Sequence, residues 1–330
     1  MVSPKSVFGG LKIGATAESA LLASNALRKM ARDESLKARI ENDPVLFGLA
    51  KRAAGRYIGG STLAECIHTI KAVNANGHAA TADYMGESTR EESKAASETT
   101  HFLELIEAIN SLALNCTISL DLSHIGLAID PALGVENATK VARAARAIGR
   151  EVIISMEGSE RTDATLAAHA KLCEQFDHVG ITLQARMLRT EQDLQTVLKR
   201  PGKIRLVKGA YDEPETLAHP RISDGLNSAY QRYAELLLAS GHACSIGTHD
   251  AVQLQSAHEF IEQKQLGAHP FEFEVLYGLG PEQSDYMRAL GYPTRQYIVY
   301  GSEWYLYVCH RIAEEPTRLF QAMVDVVKEQ

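Results

Sequence analysis

Short apolar runs recur along the chain, and a helix-length segment with one polar face separates each run from the next. Eight runs predict β-strands, because they are rich in β-branched residues and are bounded by turn residues. They span residues 79–84, 117–122, 151–156, 180–184, 203–208, 243–247, 271–276 and 296–300. Intervening segments such as 135–148, 162–176, 222–238 and 251–264 have the periodicity of amphipathic helices. This alternation predicts an α/β fold, a (βα)8 TIM-type barrel.

The first part of the chain has a different pattern. From Thr16 to about Arg56, Ala and Leu recur at helical spacing, and Gly59-Gly60 ends this stretch. Thr62 and Glu65 then fit a capping box that would start the next helix. We expect an N-terminal helical arm over residues 1–60 and a catalytic barrel over residues 61–330.

The composition is typical of a soluble enzyme, with 45% hydrophobic residues, 23% charged residues and a net charge of −7. That charge argues against nucleic acid as a partner. The five cysteines are scattered and form no metal-ligand pattern, so we expect reduced thiols and no metal site. The sequence shows no signal-peptide pattern and no apolar run of the roughly 20 residues that cross a bilayer. We expect a cytoplasmic protein, and a peripheral contact with the inner face of the membrane stays open.

Polar residues occur at the carboxyl ends of the predicted strands, where barrel enzymes carry their chemistry. In the fifth strand, Arg205 and Lys208 interrupt an apolar run. Two cations in such a strand need anionic partners, for which Asp121, Glu272 or a phosphate-bearing cofactor are candidates. His249, taken by itself, is more typical of a structural histidine.

Residues 294–315 combine a strand with a polar-faced helix. The strand ends at Gly301, and the helix that follows places four functional side chains at helical spacing, namely Tyr307, His310, Arg311 and Glu314. This face suits an anionic or amine-bearing ligand. The alternative is a solvated amphipathic helix, and spacing does not decide between the two.

Several motifs, in the order of the strands, resemble those of the proline dehydrogenase family between about residues 62 and 316. They are Met156-Glu-Gly-Ser-Glu-Arg-Thr-Asp163, Gly180-Ile-Thr-Leu-Gln184, Arg205-Leu-Val-Lys-Gly-Ala-Tyr211, Gly247-Thr-His-Asp250, Phe271-Glu-Phe-Glu-Val-Leu-Tyr-Gly278 and Tyr297-Ile-Val-Tyr-Gly-Ser-Glu-Trp304 with His310-Arg311. The resemblance implies a distorted (βα)8 barrel with FAD across the strand ends. It also implies that a five-membered cyclic secondary amine loses a hydride and becomes an imine, and that the electrons pass to a quinone or another acceptor.

The resemblance further implies roles for individual residues. Those expected to bind the cofactor are Gln184, Arg205, Lys208, Gly209, Ala210, Thr248, His249 and Glu272. Those expected to contact the substrate or the reacting atoms are Arg205, Tyr297, Tyr307, Arg311 and Glu314. A cation such as Arg205 beside the flavin would stabilise the negative charge that develops there.

The chain departs from the family's pattern where the family binds the substrate carboxylate. Asp121 replaces a strand-two lysine, Ser155 replaces a strand-three aspartate, and His310-Arg311 replaces an arginine pair. A charged hydrogen bond contributes about 1.5 to 3 kcal/mol, so we expect weaker binding of free proline unless Arg186 or His310 compensates. Asp121 and His310 are therefore further candidates for the catalytic site.

The expected substrate is proline or a proline-derived cyclic secondary amine whose carboxylate is masked, moved or absent. A cationic substrate that faces Asp121 would also fit. The alternatives are a proline dehydrogenase with an unusual carboxylate clamp, a non-catalytic or repurposed flavin-binding barrel, and a flavin-independent lyase.

Overall fold

Eight parallel strands form a closed barrel, in the order β1 to β8 around it. The computed structural model describes residues 17–85, 89–267 and 270–327. The strands are β1 (Ala79–Tyr84), β2 (Cys116–Leu120), β3 (Val152–Ile154), β4 (Val179–Gln184), β5 (Ile204–Val207), β6 (Cys244–Gly247), β7 (Phe271–Leu276) and β8 (Thr294–Tyr300). The predicted α/β barrel is confirmed, and each predicted strand overlaps an observed one.

Helices accompany the strands and flank the barrel segment of the chain. They are α1 (Ala17–Ala31), α2 (Glu34–Asn42), α3 (Pro44–Ala54), α4 (Leu63–Ala75), α5 (Glu92–Ser111), α6 (Pro131–Ala147), α7 (Thr162–Cys173), α8 (Thr190–Val197), α9 (Asp224–Ser240), α10 (Ala251–Lys264), α11 (Pro281–Ala289), α12 (Trp304–Glu314) and α13 (Arg318–Val327). The predicted capping box is present at α4, where the Thr62 Oγ1 atom accepts from the Glu65 N–H at 3.3 Å.

Side chains alternate along each strand between the surrounding helices and the barrel interior. The outward positions are apolar and pack in one core with the helices; Ile118, Leu120, Ile181 and Ile246 are examples. Many inward positions are polar and buried instead: Thr81, Thr117, Ser119, Thr182, Arg205, Ser245, Glu272, Glu274 and Arg295. Such groups need hydrogen-bond or charge partners inside the barrel.

Two compact units make up the chain, one of residues 57–303 and the other of residues 1–56 with 304–330. The first is the barrel. In the second, the Ser24 Oγ atom of α1 donates to the Ala313 carbonyl of α12 at 2.7 Å. Arg56, just after α3, donates to the Asp325 carboxylate of α13 at 2.5 and 2.8 Å. The predicted boundary at residue 60 stays a prediction, since compactness does not establish which segments fold independently.

Among the described residues, no helix is both long and apolar enough to cross a membrane. Over the same residues, no group of three or more His, Cys, Asp or Glu side chains is arranged to hold a metal ion.

Candidate active site

Arg205 lies inside the barrel on β5. Its Nε atom donates to Thr182 Oγ1 of β4 at 2.9 Å, and its Nη2 atom donates to Ser119 Oγ of β2 at 3.0 Å. Its Nη1 atom is buried without a hydrogen-bond partner, 3.8 Å from the Glu274 carboxylate of β7. The guanidinium is thus fixed on two sides by hydroxyl groups, and one nitrogen can still donate a hydrogen bond.

Tyr297 and Asp83 lie beside this arginine. The guanidinium carbon of Arg205 is 4.7 Å from the centre of the Tyr297 ring, within the range of a cation–π contact. The Tyr297 hydroxyl donates to Asp83 Oδ2, whereas Asp83 Oδ1 is buried without a partner. Burial first, and the charge of Asp121 second, raise the pKa of Asp83 well above its usual range. Burial and the Asp83 charge likewise raise the pKa of Tyr297, so the phenol keeps its proton near neutral pH.

The ends of β4 and β5 approach each other closely through Gly209. This glycine has φ +111°, and a Cβ atom there would lie 2.8 Å from Gln184 Oε1. The Gln184 side chain is held by its Nε2 atom, which donates to the Glu157 carbonyl at 2.9 Å. A residue other than glycine would therefore be strained and would also push against Gln184.

Lys208 and the residues after β6 form a second polar group at the same end of the barrel. The Lys208 Nζ atom donates to Asp250 Oδ2 at 2.6 Å and to Asn227 Oδ1 at 2.9 Å. The Asp250 N–H donates to Thr248 Oγ1 at 3.1 Å. In the sequence, His249 lies between Thr248 and Asp250, and it is partly exposed. Ala210 is exposed.

Two of the three candidate partners of the two cations, Asp121 and Glu272, were wrong, and the phosphate-bearing cofactor stays a prediction. Neither Asp121 nor Glu272 is paired with Arg205 or Lys208, whose neighbouring carboxylates are Glu274 and Asp250. Glu272 accepts from Arg295 at 2.8 Å and from Lys203 at 3.0 Å. It points to the same side of β7 as Glu274 but two residues earlier, so it lies deeper in the barrel and away from the carboxyl ends.

Asp121 directly follows β2, with its carboxylate 3.8 Å from His124 Nε2. Arg186, considered as a substitute for the missing lysine, is buried. Its Nε atom donates to the His219 carbonyl at 2.9 Å, and its Nη1 atom donates to the Tyr211 carbonyl. Arg186 thus supports the backbone of the loop after β5.

The four residues expected on the last polar helix belong to α12, in the unit of residues 1–56 and 304–330. The Arg311 guanidinium is buried, 2.7 Å from the Glu314 carboxylate and 5.2 Å from the centre of the Tyr307 ring. His310 is partly exposed. The buried arginine shows that this face is not simply a solvated surface.

Sequence reasoning missed several residues that position Arg205. Ser119, Thr182 and Ser245 are small polar residues within mainly apolar strands, so their signal was an inward position in the two-residue alternation. Ser245 Oγ donates to Glu274 at 2.9 Å, and Thr81 Oγ1 donates to the same carboxylate at 2.6 Å. These hydroxyls build the surroundings of Arg205.

Comparison with known proteins identifies the family of the chain. Residues 66–314 match the family model described as proline dehydrogenase. The chain belongs to the proline dehydrogenase family. Proline dehydrogenase 2 of Bacillus subtilis is 33% identical over 277 residues, which are 84% of this chain and 91% of that protein. Proline dehydrogenase of Deinococcus radiodurans is 31% identical over 268 residues, 80% of this chain and 86% of the other.

Solved structures share the fold. Proline utilization A from Bdellovibrio bacteriovorus has a TM-score of 0.75 at 18% identity, and the match covers 89% of this chain and 36% of that one. A variant of the same protein from Bradyrhizobium japonicum has a TM-score of 0.69 at 18% identity, covering 92% and 40%. The chain thus spans well under half the length of these larger proteins, and at this identity the likeness concerns the fold. Family membership confirms the expected oxidoreductase class and FAD as cofactor.

Proposed function

We propose that the protein oxidises proline, or a proline-derived cyclic secondary amine, to the imine at the carboxyl end of the barrel. The observation that carries this proposal is Arg205, a buried cation with one unsatisfied nitrogen among Ser119, Thr182 and Tyr297. FAD, when bound, accepts the hydride from the carbon beside the ring nitrogen. A fixed cation in a water-poor site stabilises negative charge as it develops, because it needs no reorganisation during the reaction.

The residues present fit this cofactor. The unsatisfied Arg205 Nη1 atom can donate to a ring acceptor, and Gln184 offers a side-chain amide beside Gly209, where the backbone comes close to it. Lys208 is a partly exposed cation suited to a phosphate. With Ala210, Thr248 and His249, these residues would hold the cofactor. Glu272 was also expected to bind the cofactor. Its contacts indicate that it stabilises the barrel interior instead.

On the substrate side, Tyr297 and Asp83 form a hydrogen-bonded pair that fixes the Tyr297 ring against Arg205. In the other unit, Arg311 of α12 is the arginine that we expect to bind an anionic substituent, and Glu314 orients it from 2.7 Å. Tyr307 stacks on the same guanidinium, and His310 is the neighbouring donor.

We infer that a quinone is the electron acceptor and that the protein touches a membrane peripherally. Exposed apolar side chains support this contact; they recur along one face of α13 at Leu319, Phe320, Met323, Val324 and Val327. Quinone-supported turnover and flotation with lipid vesicles test it. Absence of both would refute the inference.

The test of the main proposal is anaerobic bleaching of the flavin absorbance by L-proline and by carboxylate-masked analogues. Arg205→Met should slow reduction about 10²- to 10³-fold, in line with loss of one preorganised charge. Arg205→Lys should recover part of the rate, because it restores the charge but not the paired hydrogen bonds.

Arg232 supplies a matched control, since it lies 5.0 Å from the Tyr233 ring but is more than half exposed. Arg232→Met should leave the rate unchanged. Flavin content and melting temperature are compared for all variants. Unaltered reduction in Arg205→Met with full flavin occupancy would refute the assignment.

A further inference from the structure

Asp121 lies at the mouth of the barrel, above the serine that holds Arg205. Ser119 of β2 is paired in register with Asp83 of β1, and its hydroxyl faces the barrel interior, where Arg205 donates to it. Asp121 follows two residues later, so the strand alternation places it on the same side and nearer the carboxyl end. The charge of Asp121 acts on both Asp83 and Tyr297, which agrees with this position.

Among the described residues, no arginine or lysine forms an ion pair with Asp121. Arg161 is 2.7 Å from Glu157, and the Arg205 guanidinium is shared between two hydroxyls and the region of Glu274. Within residues 17–85, 89–267 and 270–327, Asp83 forms no ion pair, and the partner of Asp121 is His124 at 3.8 Å. This side of the mouth therefore carries excess negative charge.

A buried atom with no partner points independently to a ligand. Asp83 Oδ1 is buried and accepts no hydrogen bond, while Oδ2 accepts from Tyr297. Buried carboxylate oxygens are normally satisfied, and an unsatisfied one beside a site calls for a donor from the bound molecule. A positively charged N–H donor would satisfy this oxygen and would offset the Asp121 charge.

At the end of β3 the side chain that faces the site is a neutral serine, Ser155. Ser155 Oγ is 2.9 Å from Ser119 Oγ, and Arg205 Nη2 lies 3.4 Å from it. The floor between β2 and β3 is thus made of neutral hydroxyls, and Asp121 stands above it. A carboxylate bound over this floor would be repelled by Asp121, whereas a cation would be attracted.

We propose that Asp121 determines substrate specificity by binding a cationic group, so that the enzyme prefers cyclic secondary amines whose ring substituent is positively charged to free proline. This inference rests on the proposed amine oxidation and names its substrate class. Asp83, through its free oxygen, is the second acceptor for the same group.

The experiment measures anaerobic flavin reduction by three amines: L-proline, L-prolinamide and (S)-2-(aminomethyl)pyrrolidine. Their ring substituents are anionic, neutral and cationic, and the ring is otherwise the same. For the wild-type holoenzyme, the apparent Kd of the aminomethyl compound should be at least about tenfold lower than that of proline, as expected for one charged hydrogen bond.

Asp121→Asn keeps the shape of the side chain and removes its charge. It should raise the Kd of the aminomethyl compound about tenfold or more and change that of prolinamide less than about twofold. Asp121→Lys should shift the preference to proline. The control is Asp177→Asn, because Asp177 is also 3.8 Å from a histidine, His178, but is exposed and precedes β4. It should leave all three values unchanged.

Two failures are distinguishable. If proline reduces the wild-type flavin best and Asp121→Asn does not change the ratio of Kd values, the specificity inference is overturned and the amine oxidation stands. If none of the three amines reduces the flavin of the wild-type holoenzyme, the proposed function is overturned, and the inference falls with it. The flavin spectrum of each variant shows that it is folded.

Discussion

Substitution of Glu272 tests whether this buried carboxylate binds FAD or stabilises the barrel strands. The family resemblance implies that it is a cofactor ligand, whereas its side chain lies between Arg295 of β8 at 2.8 Å and Lys203 at 3.0 Å. Both of its neighbours are largely buried. Glu272→Gln keeps the volume of the side chain and removes its charge, so the change isolates the electrostatic contribution.

The expected loss of unfolding free energy in Glu272→Gln depends on the partners that Lys203 and Arg295 still have. Lys203 retains Glu151 at 2.7 Å, whereas Arg295 retains two neutral hydrogen-bond acceptors, the Ala80 carbonyl at 2.5 Å and Thr117 Oγ1 at 3.0 Å. Removing one partner of a buried ion pair costs about 3 to 5 kcal/mol, because the other charge stays buried. We expect a loss of about this size, or roughly 4 to 7 °C in melting temperature.

The assay is denaturant unfolding at a fixed excess of FAD, together with titration of FAD into the apoprotein. Glu272→Gln should lose stability and keep its FAD affinity within about threefold, a change of under 1 kcal/mol. Glu151→Gln is the matched control, since Glu151 contacts the same Lys203 but is over a third exposed, and it should cost less than about 1 kcal/mol. A large rise in the Kd for FAD with unchanged stability would refute the structural role and restore the cofactor role.

Two further predictions concern stability. Burial by itself would raise the pKa of Asp250, but the hydrogen bond and charge of Lys208 lower it below its ordinary 3.8, so this pair contributes stability that is complete above that value and is lost as the pH falls through the lowered pKa. Lys208→Met should therefore flatten the acid side of the curve of unfolding free energy against pH, and an unchanged curve would contradict the pairing. Thr62→Ala should cost about 1 kcal/mol in denaturant unfolding, since it removes the α4 cap, and an unaltered midpoint would exclude that contribution.

Strand positions were predictable because the barrel repeats one simple pattern. Each strand is buried on its outer face by a helix, so it is a short apolar run between turn residues. The grouping of α12 and α13 with the first helices was not predictable in this way. It depends on contacts such as Ser24 with Ala313, which lie far apart in the sequence and have no local signature.

The types of residue at the strand ends were predictable from the sequence. Which of their side chains contact one another was not. Glu272 and Glu274 both face inward, and the sequence cannot say which lies at the level of Arg205. The side-chain contacts in the tilted strands decide, because Arg205 and Ser245 lie against Glu274, whereas Glu272 accepts from Arg295 and Lys203. A shift of two residues moves a side chain to the next layer of the barrel.

Acidic and basic side chains alternate through the barrel interior, and this order determines the charge at the mouth of the barrel. Burial by itself would lower the pKa of Arg295, but the charges of Glu272 and then Glu274 raise it, so Glu274 acts on this arginine from one side. From the other side it faces Arg205 at 3.8 Å. Arg205 also lowers the pKa of Asp83, but burial and the Asp121 charge outweigh it, so the pKa of Asp83 stays well above its usual range. Asp121 forms no ion pair with an arginine or lysine of the described residues, which is the physical basis for the specificity proposed for it.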